Sequence, residues 1–155
     1  MPHHAFCALF TALVLPVLKY CSTIWSPHQI DLQKRLESVQ RKASKTALHI
    51  MDRTTKLPYE ERLQTLRWSR LDGRRLFSRR VLLYKFLHSD CPIPEGYLRR
   101  SRRDPLRLEQ RLASTTSASY SLFIQAPELW NSLPVGARRA QSVGEFKDLV
   151  WYRDV

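Results

Sequence analysis

Glycine is scarce in this sequence, with four residues among 155. Glycine supplies the positive-φ backbone of tight hairpin turns and lets the backbone approach a bound phosphate closely. A fold made mainly of hairpins is therefore disfavoured. Neither a Gly-x-x-x-x-Gly-Lys loop nor a Gly-x-Gly-x-x-Gly loop is present, so the common nucleotide-binding loops are excluded.

Disulfides and metal ligands have little support either. Cys7, Cys21 and Cys91 are scattered and odd in number, which indicates reduced intracellular thiols instead of a disulfide framework. His88 and Cys91 form one His-x-x-Cys pair, which is a weak zinc signal. No second pair accompanies it, and two unrelated residues at a helix end explain it better. We therefore expect no metal and no other cofactor.

The sequence also lacks clustered carboxylates. A two-metal phosphoryl-transfer site needs several converging Asp or Glu side chains, but the 14 acidic residues are scattered and no two aspartates are adjacent. The Gly-x-Ser-x-Gly motif of serine hydrolases is missing as well. The chain is therefore predicted not to be an enzyme by itself and to have no small-molecule substrate.

The apolar run from Ala5 to Leu18 is too short to span a bilayer, which takes roughly 20 residues. Its length suits the apolar part of a signal peptide, but no Lys or Arg precedes it and no small-x-small cleavage site follows. We expect a buried helix here and a location inside the cell, nuclear or cytoplasmic. A membrane-surface or secreted basic protein is the weaker alternative.

Positive charge is what the sequence has in excess. It contains 26 Lys and Arg against 14 Asp and Glu, for a net charge of +12. Such an excess favours a polyanionic partner, with nucleic acid first and an acidic membrane surface second. The simpler alternative is the solvated surface of an ordinary basic protein. With 43% apolar residues, the chain is also expected to be globular and to have a core.

Hydrophobic periodicity predicts a mainly α fold, a small bundle of about five to six helices. The first helix, residues 5–24, is apolar on nearly every side and contains Pro16, which should kink it. A helix of this kind has to be buried all round, so we expect it to belong to a larger core that this chain supplies only in part.

The second predicted helix, residues 28–50, has an apolar side. On a wheel of about 100° per residue its apolar positions fall within about 60° of one another. The residues predicted to face inward are Leu32, Leu36, Val39, Ala43 and Ile50.

The opposite side of this helix is basic. Lys34, Arg41 and Lys45 point away from the apolar side, and Arg35 and Lys42 flank them. Solvation explains any basic helical face most simply, and contact with phosphates is its rival here because few carboxylates are near. We predict that these five residues contact the nucleic-acid backbone.

A run of arginines follows the expected loop at 89–96. We expect an irregular segment over 99–121, which is either a flexible solvated loop or a mobile arm that holds a phosphate backbone without reading sequence. Tyr120 and residues 122–124 are expected to form a short extended piece. The predicted phosphate-binding residues of the run are Arg99, Arg100, Arg102, Arg103, Arg107 and Arg111.

The last part of the chain reads as compact. A short helix is predicted over 126–132 with Trp130 facing inward. Asn131 is placed to help end it, and Pro134 prevents its continuation. A capping box over Ser142–Glu145 predicts the start of a closing helix, because Glu145 follows the Ser142 cap by three residues.

Several segments resemble, in order, the region just beyond the catalytic palm in reverse transcriptases of non-LTR retrotransposons (LINE-type, jockey-like). The resemblance covers nearly the whole chain from about Ala12 onward. It is carried by Leu18–Pro27 with its Trp25-Ser26-Pro27 corner, Leu36–Ala43, Tyr59–Leu63, Arg74-Arg75, Tyr84–Leu87, the Trp-Asn-x-Leu-Pro segment within Ala126–Pro134, and Ser142–Leu149.

The resemblance implies a single thumb-like helical domain over 1–155. Its parts are a helical core at 5–98, a basic irregular arm at 99–121 and a closing segment at 122–155. The family's activity is RNA-directed DNA polymerisation at a palm with a Tyr-x-Asp-Asp motif. That motif, the fingers, the endonuclease and the Cys/His knuckle of some members are missing here, so no catalytic residue carries over. The structural residues it marks are Trp25, Pro27, Trp130, Asn131 and Pro134.

The implied partner is nucleic acid, an RNA–DNA hybrid or RNA, contacted through its backbone. The palm and fingers of a reverse transcriptase are a second implied partner. The alternative is a degenerate transposon remnant with no molecular activity, and it is motivated by the first helix, whose apolar surface calls for a partner that the chain does not supply.

Overall fold

The structure, a computed structural model, describes residues 2–25, 27, 29–52, 56–88 and 96–151, but not the side chains of Trp25 and Ser117. In these ranges the chain is mainly helical, and the β pairing is limited to an isolated antiparallel bridge between Arg100 and Leu108. The predicted mainly α fold is therefore confirmed.

The helices are more numerous and shorter than expected. In chain order they are α1 His3–Leu9, a π-helical turn Phe10–Val14, α2 Leu15–Lys19, α3 Ser22–Trp25, α4 Ile30–Met51, α5 Tyr59–Leu66, α6 Leu71–His88, α7 Thr116–Ser119, α8 Leu122–Asn131, α9 Val135–Arg138 and α10 Val143–Trp151.

Two compact units divide the chain. The first comprises residues 1–22 and 26–75, and the second comprises 23–25 and 76–155. The boundary between the two units lies within α6, after Arg75. The internal boundaries predicted from the sequence lie instead near residues 98 and 121. Residues 99–121 thus belong to the second unit. The grouping of the whole chain as one domain stays a prediction.

The break predicted at Pro16 takes the form of a π-helical turn. Proline has no N–H to donate, and its ring crowds the carbonyl one turn earlier. The chain widens just before it, over Phe10–Val14, where the Leu15 N–H donates to the Phe10 carbonyl five residues back. Such π-bulges are a recognised cause of helix kinks.

The first helices are buried on one side only. Phe10 and Leu15 are buried, and the Phe10 ring stacks on Trp68 with 4.7 Å between centroids. Leu13 and Val17, by contrast, are 64% and 71% exposed. Within the described residues this stretch is therefore buried only in part and keeps an open apolar face, and its burial in a larger core stays a prediction.

The buried side of α4 differs from the one that its apolar pattern predicts. Leu32 and Val39 are exposed, although Ala43 is buried as expected. On a helical wheel the buried side lies about 90° from the predicted one. The residues that are buried in α4 are Glu37, Gln40, Ala43, Ser44, Ala47 and Leu48.

Hydrogen bonds explain this rotation. The Glu37 carboxylate accepts hydrogen bonds from the Tyr59 hydroxyl and from the Leu71 N–H. The Gln40 side-chain amide donates to the Ser69 carbonyl at 2.9 Å. Buried polar groups are tolerated when they are hydrogen-bonded, so these partners fix a polar side of α4 against α5 and the start of α6.

The core of the second unit is aromatic. The Tyr84 ring stacks between His88 and Phe146, with centroid separations of 4.2 and 4.5 Å, and its hydroxyl donates to the Ala140 carbonyl at 2.8 Å. The Trp130 ring lies 6.0 Å from Phe146. Trp130 is 1% exposed, which confirms its predicted inward position and joins α8 and α10 to the later turns of α6.

α8 starts earlier than predicted. Residues 122–124 were expected to be extended, but they form its first turn. The cause is Ser121, whose Oγ accepts a hydrogen bond from the Ile124 N–H at 3.4 Å and thereby caps the helix. The helix ends at Asn131, and Pro134 stands directly before α9.

The predicted cap of the closing helix is present in altered form. The Glu145 N–H donates to Ser142 Oγ at 3.1 Å, as a capping box requires. The Glu145 carboxylate, however, accepts from the Gln141 N–H at 2.8 Å, one residue before the cap. α10 therefore begins where the sequence predicts.

Candidate nucleic-acid interface

The basic helix face of α4 consists of Lys34, Arg35, Arg41, Lys42 and Lys45. All five residues are exposed. Within the ranges that the structure describes, none of them forms an ion pair with a carboxylate. Five cations along one helix without a neutralising partner create a surface that attracts anions.

The rotation of α4 separates four of these five cations into two groups. Relative to the centre of the buried side, Lys34 and Arg41 lie about 90° away, at its edge. Arg35 and Lys42 lie about 160–180° away, on the side that faces solvent. Lys34 and Arg41 therefore border the buried Glu37, whereas Arg35 and Lys42 do not.

Tyr59 holds Arg41 in place. The Arg41 guanidinium lies over the Tyr59 ring at 4.7 Å from its centroid, and the Arg62 guanidinium lies at 5.5 Å from the same centroid. Arg62 also donates to the Arg41 carbonyl at 3.4 Å. Burial, together with the hydrogen bond to Glu37, raises the pKa of Tyr59, so this hydroxyl stays a donor.

The arginine loop, residues 99–111, is folded back on itself. The Ser101 N–H donates to the Arg107 carbonyl at 2.8 Å, and the Glu109 N–H donates to the Arg99 carbonyl at 2.9 Å. Leu108, in the returning half, is 4% exposed. Residues 99–111 are irregular, as predicted, but hydrogen bonds within the second unit fold them into a loop instead of a mobile arm. The irregular segment predicted over 99–121 also contains the helix α7.

α8 fastens this loop through Trp130 and Asn131. The Leu108 N–H donates to Asn131 Oδ1 and the Asn131 Nδ2 donates to the Leu108 carbonyl, both at 3.0 Å. Trp130 Nε1 and Arg138 Nη1 donate to the Leu106 carbonyl at 2.9 and 3.2 Å. Asn131 is therefore a structural residue, as predicted, but its side chain binds a distant backbone segment.

Three of the six loop arginines are engaged with the protein. Arg100 donates to the Pro105 and Leu87 carbonyls, and Arg107 pairs with Asp104 at 3.6 Å. Arg111 donates to the Gly96 carbonyl at 2.9 Å, and its guanidinium lies 5.5 Å from the Tyr97 ring centroid. These three side chains shape the loop and its attachment.

The other three loop arginines point to solvent. Arg99, Arg102 and Arg103 are exposed, and their guanidinium groups donate to no residue in the described ranges. They are the loop cations with donors available to phosphate oxygens.

The Trp25-Ser26-Pro27 corner is described only in part. Ser26 and the Trp25 side chain lie outside the described residues. The Pro27 carbonyl accepts a hydrogen bond from Gln33 Nε2 at 2.8 Å, which ties the corner to the first turn of α4.

Three residues beside the basic helix face had no role assigned from sequence: Glu37, Arg70 and Arg75. Glu37 and Arg75 are buried, and Arg70 donates to both oxygens of Asp72. The available signal was a polar stripe at Glu37, Gln40 and Ser44, spaced three and four residues apart. A polar helix face that is exposed to solvent has the same spacing. Periodicity alone therefore does not distinguish a buried polar stripe from a solvated one.

Two further properties concern the described residues as a whole. No three His, Cys, Asp or Glu side chains among them come together as a group able to hold a metal ion. None of the described helices combines the length and apolar character that crossing a bilayer requires.

Comparison with protein-family models, with curated proteins and with solved structures found no match to this chain.

Proposed function

We propose that this chain is a non-catalytic helical module that binds the phosphate backbone of nucleic acid. It would correspond to the post-palm region of a non-LTR retrotransposon reverse transcriptase. The observation that carries the proposal is the pair of exposed cationic surfaces. One is the basic helix face of the first unit, and the other is the group Arg99, Arg102 and Arg103 of the second.

The two surfaces suit phosphate better than plain solvation does. Like charges placed side by side repel one another, and a chain with a net charge of +12 has a large excess to neutralise. Nucleic acid neutralises such a surface and releases its own condensed counterions, which favours binding at moderate salt. Contacts of this kind fix a backbone without reading bases, so the partner we propose is an RNA–DNA hybrid or RNA of any sequence.

The open apolar face of the first helices supports a second element of the proposal. Leu13, Val17 and Tyr20 are each more than 60% exposed. Large apolar residues exposed close together in sequence are a feature of interaction sites. We propose that the palm and fingers of a reverse transcriptase cover it, as the family resemblance implies.

Binding of an RNA–DNA hybrid across a salt series tests the function. Fluorescence anisotropy with a labelled hybrid should give an affinity that falls linearly with the logarithm of the salt concentration. Two hybrids of unrelated sequence should bind equally well. Absence of binding at low salt, or an affinity that does not depend on the salt concentration, would contradict the proposal.

A degenerate remnant without molecular activity remains the rival, and the same open apolar face favours it. Circular dichroism and gel filtration of the isolated chain separate the two. Cooperative unfolding of a monomer that binds the hybrid supports the module. Aggregation without cooperative unfolding and without hybrid binding supports the remnant.

A further inference from the structure

A cavity of about 460 Å³ with several charged side chains in its lining lies in the first unit, beside α4 and the start of α6. Its volume is within the range of small-ligand sites, roughly 300–1,000 Å³. Six charged side chains line it. Four are cations, Lys34, Arg41, Arg70 and Arg75, and two are carboxylates, Glu37 and Asp72.

The charged lining is arranged by depth. Arg75 and Glu37 are 5% and 7% exposed, so they form the innermost part. Lys34 and Arg41, the edge group of the basic helix face, are exposed and form the rim. A group that enters from solvent therefore passes two cations and reaches a third.

The two carboxylates are already engaged with the protein. Arg70 donates to both oxygens of Asp72, at 3.1 and 3.0 Å. Burial raises the Asp72 pKa, but the Arg70 contact and the hydrogen bond from the Gly73 N–H together lower it overall. The oxygens of Glu37 accept from the Tyr59 hydroxyl and the Leu71 N–H. Arg70 is thus paired with Asp72, and Lys34, Arg41 and Arg75 are the other cations of the lining.

Arg75 is the cation with the least access to water. Its Nη2 donates to the Leu18 carbonyl at 3.3 Å. Burial lowers the pKa of Arg75, and this effect exceeds the opposing influence of Glu37 and Asp72. Water screens this positive charge poorly, so it would attract an anion that enters the cavity.

We propose that this cavity binds a terminal phosphate monoester of a nucleic-acid strand. The internal phosphates of a duplex follow a convex surface and stay at the rim. An end phosphate projects from its strand and reaches Arg75. It carries about −1.5 to −2 charges at neutral pH and three acceptor oxygens, which suits three converging cations. The proposal rests on the proposed function, because Lys34 and Arg41 belong to the basic helix face.

The test compares three RNA–DNA hybrids that differ only at their ends. One carries a 5′-phosphate, one a 3′-phosphate and one only hydroxyl groups. Anisotropy at fixed ionic strength should show one phosphorylated hybrid binding about tenfold more tightly than the hydroxyl-ended one, as expected for charge-assisted hydrogen bonds. Equal affinities for all three overturn the cavity proposal and leave the proposed function intact. Absence of binding to all three overturns both.

A matched pair of variants locates the effect. Lys34→Gln and Arg35→Gln each remove one exposed cation from adjacent positions of α4, but only Lys34 lines the cavity. Lys34→Gln should reduce the preference for the phosphorylated end at least threefold. Arg35→Gln should weaken all three hybrids by the same factor and keep the preference. Equal loss of preference in both variants would overturn the assignment to this cavity.

Discussion

The two units of this chain are stabilised in different ways. In the first unit, the contacts that orient α4 are polar: a buried carboxylate, a phenol and a helix-terminal N–H. In the second unit, a stack of aromatic rings joins α6, α8 and α10. The first unit also keeps large apolar residues at its surface, among them Leu13 and Val17.

The contrast shows when an apolar pattern predicts burial. In α8 and α10, Trp130 and Phe146 are buried, Trp130 as the sequence predicts. In α4, hydrogen bonds to Glu37 and Gln40 prevail over the apolar stripe, and Leu32 and Val39 stay exposed. A buried polar group that lost its partners would pay a large desolvation penalty, so its bonding geometry dictates the orientation of the helix.

Trp130→Ala should have the largest effect on stability. It removes a ring that is 1% exposed, and we expect the free energy of unfolding to fall by about 3–5 kcal/mol. Leu13→Ala, on the open apolar face of the first unit, is the control and should change it by less than about 0.5 kcal/mol. Chemical denaturation measures both. Equal losses of unfolding free energy in the two variants would contradict the contrast between the units.

Tyr59→Phe should come next. It removes one of the two donors to the buried Glu37 carboxylate, and a hydrogen bond to a charged group is worth roughly 1.5–3 kcal/mol. We expect a loss of about 2 kcal/mol in denaturant unfolding. Tyr97→Phe is the control, since Tyr97 is exposed. A Tyr59→Phe variant as stable as the original chain would show that polar contacts do not orient α4.

Asn131→Ala should destabilise the arginine loop. It removes two hydrogen bonds to the Leu108 backbone, each worth about 0.5–1.5 kcal/mol. Hydrogen exchange should show lost protection at the Leu108 amide. The free energy of unfolding should fall by about 1–2 kcal/mol in total. Ser132→Ala, at an exposed neighbour, should leave that amide protected. Unchanged protection in Asn131→Ala would contradict the fastened loop.

Asp72→Asn should have the smallest effect. The Arg70 contact lowers the Asp72 pKa in the folded chain. The stabilisation by this contact is therefore fully present above the pKa that Asp72 has in the unfolded chain, about 4. It is lost as the pH falls through the lower pKa of the folded chain. Because both side chains are about half exposed, solvent screening limits the loss at neutral pH to about 0.5 kcal/mol. Stability measured between pH 7 and 3 should fall less steeply in the variant. An identical dependence of stability on pH in the variant and in the original chain would contradict this prediction.

Local chemistry made part of the fold predictable. Pro16 has the same steric demand in any context, and Ser142 with Glu145 forms a cap from residues three apart. The break and the start of α10 therefore lie where the sequence places them. Ser121 was missed as a cap because the Ser/Thr-rich stretch before it offers several equivalent candidates.

Long-range partners made the rest unpredictable. Glu37 meets Tyr59 and Leu71, which follow it by 22 and 34 residues. Asn131 bonds to Leu108, 23 residues earlier, although its position at a helix end suggested only a local role. The arginines divide for the same reason: the backbone carbonyls that engage Arg100 and Arg111 exist only in the folded loop.

We propose that the loop arginines that face solvent hold the phosphate backbone and that the loop arginines bound to the protein do not. The slope of log affinity against log salt for an RNA–DNA hybrid tests it most directly. The double variant Arg102→Gln, Arg103→Gln should lower that slope by about 2, because each lost phosphate contact lowers it by about 1. The double variant Arg100→Gln, Arg111→Gln should keep the original slope. An unchanged slope in the first double variant, or an equal decrease in both, would contradict the claim.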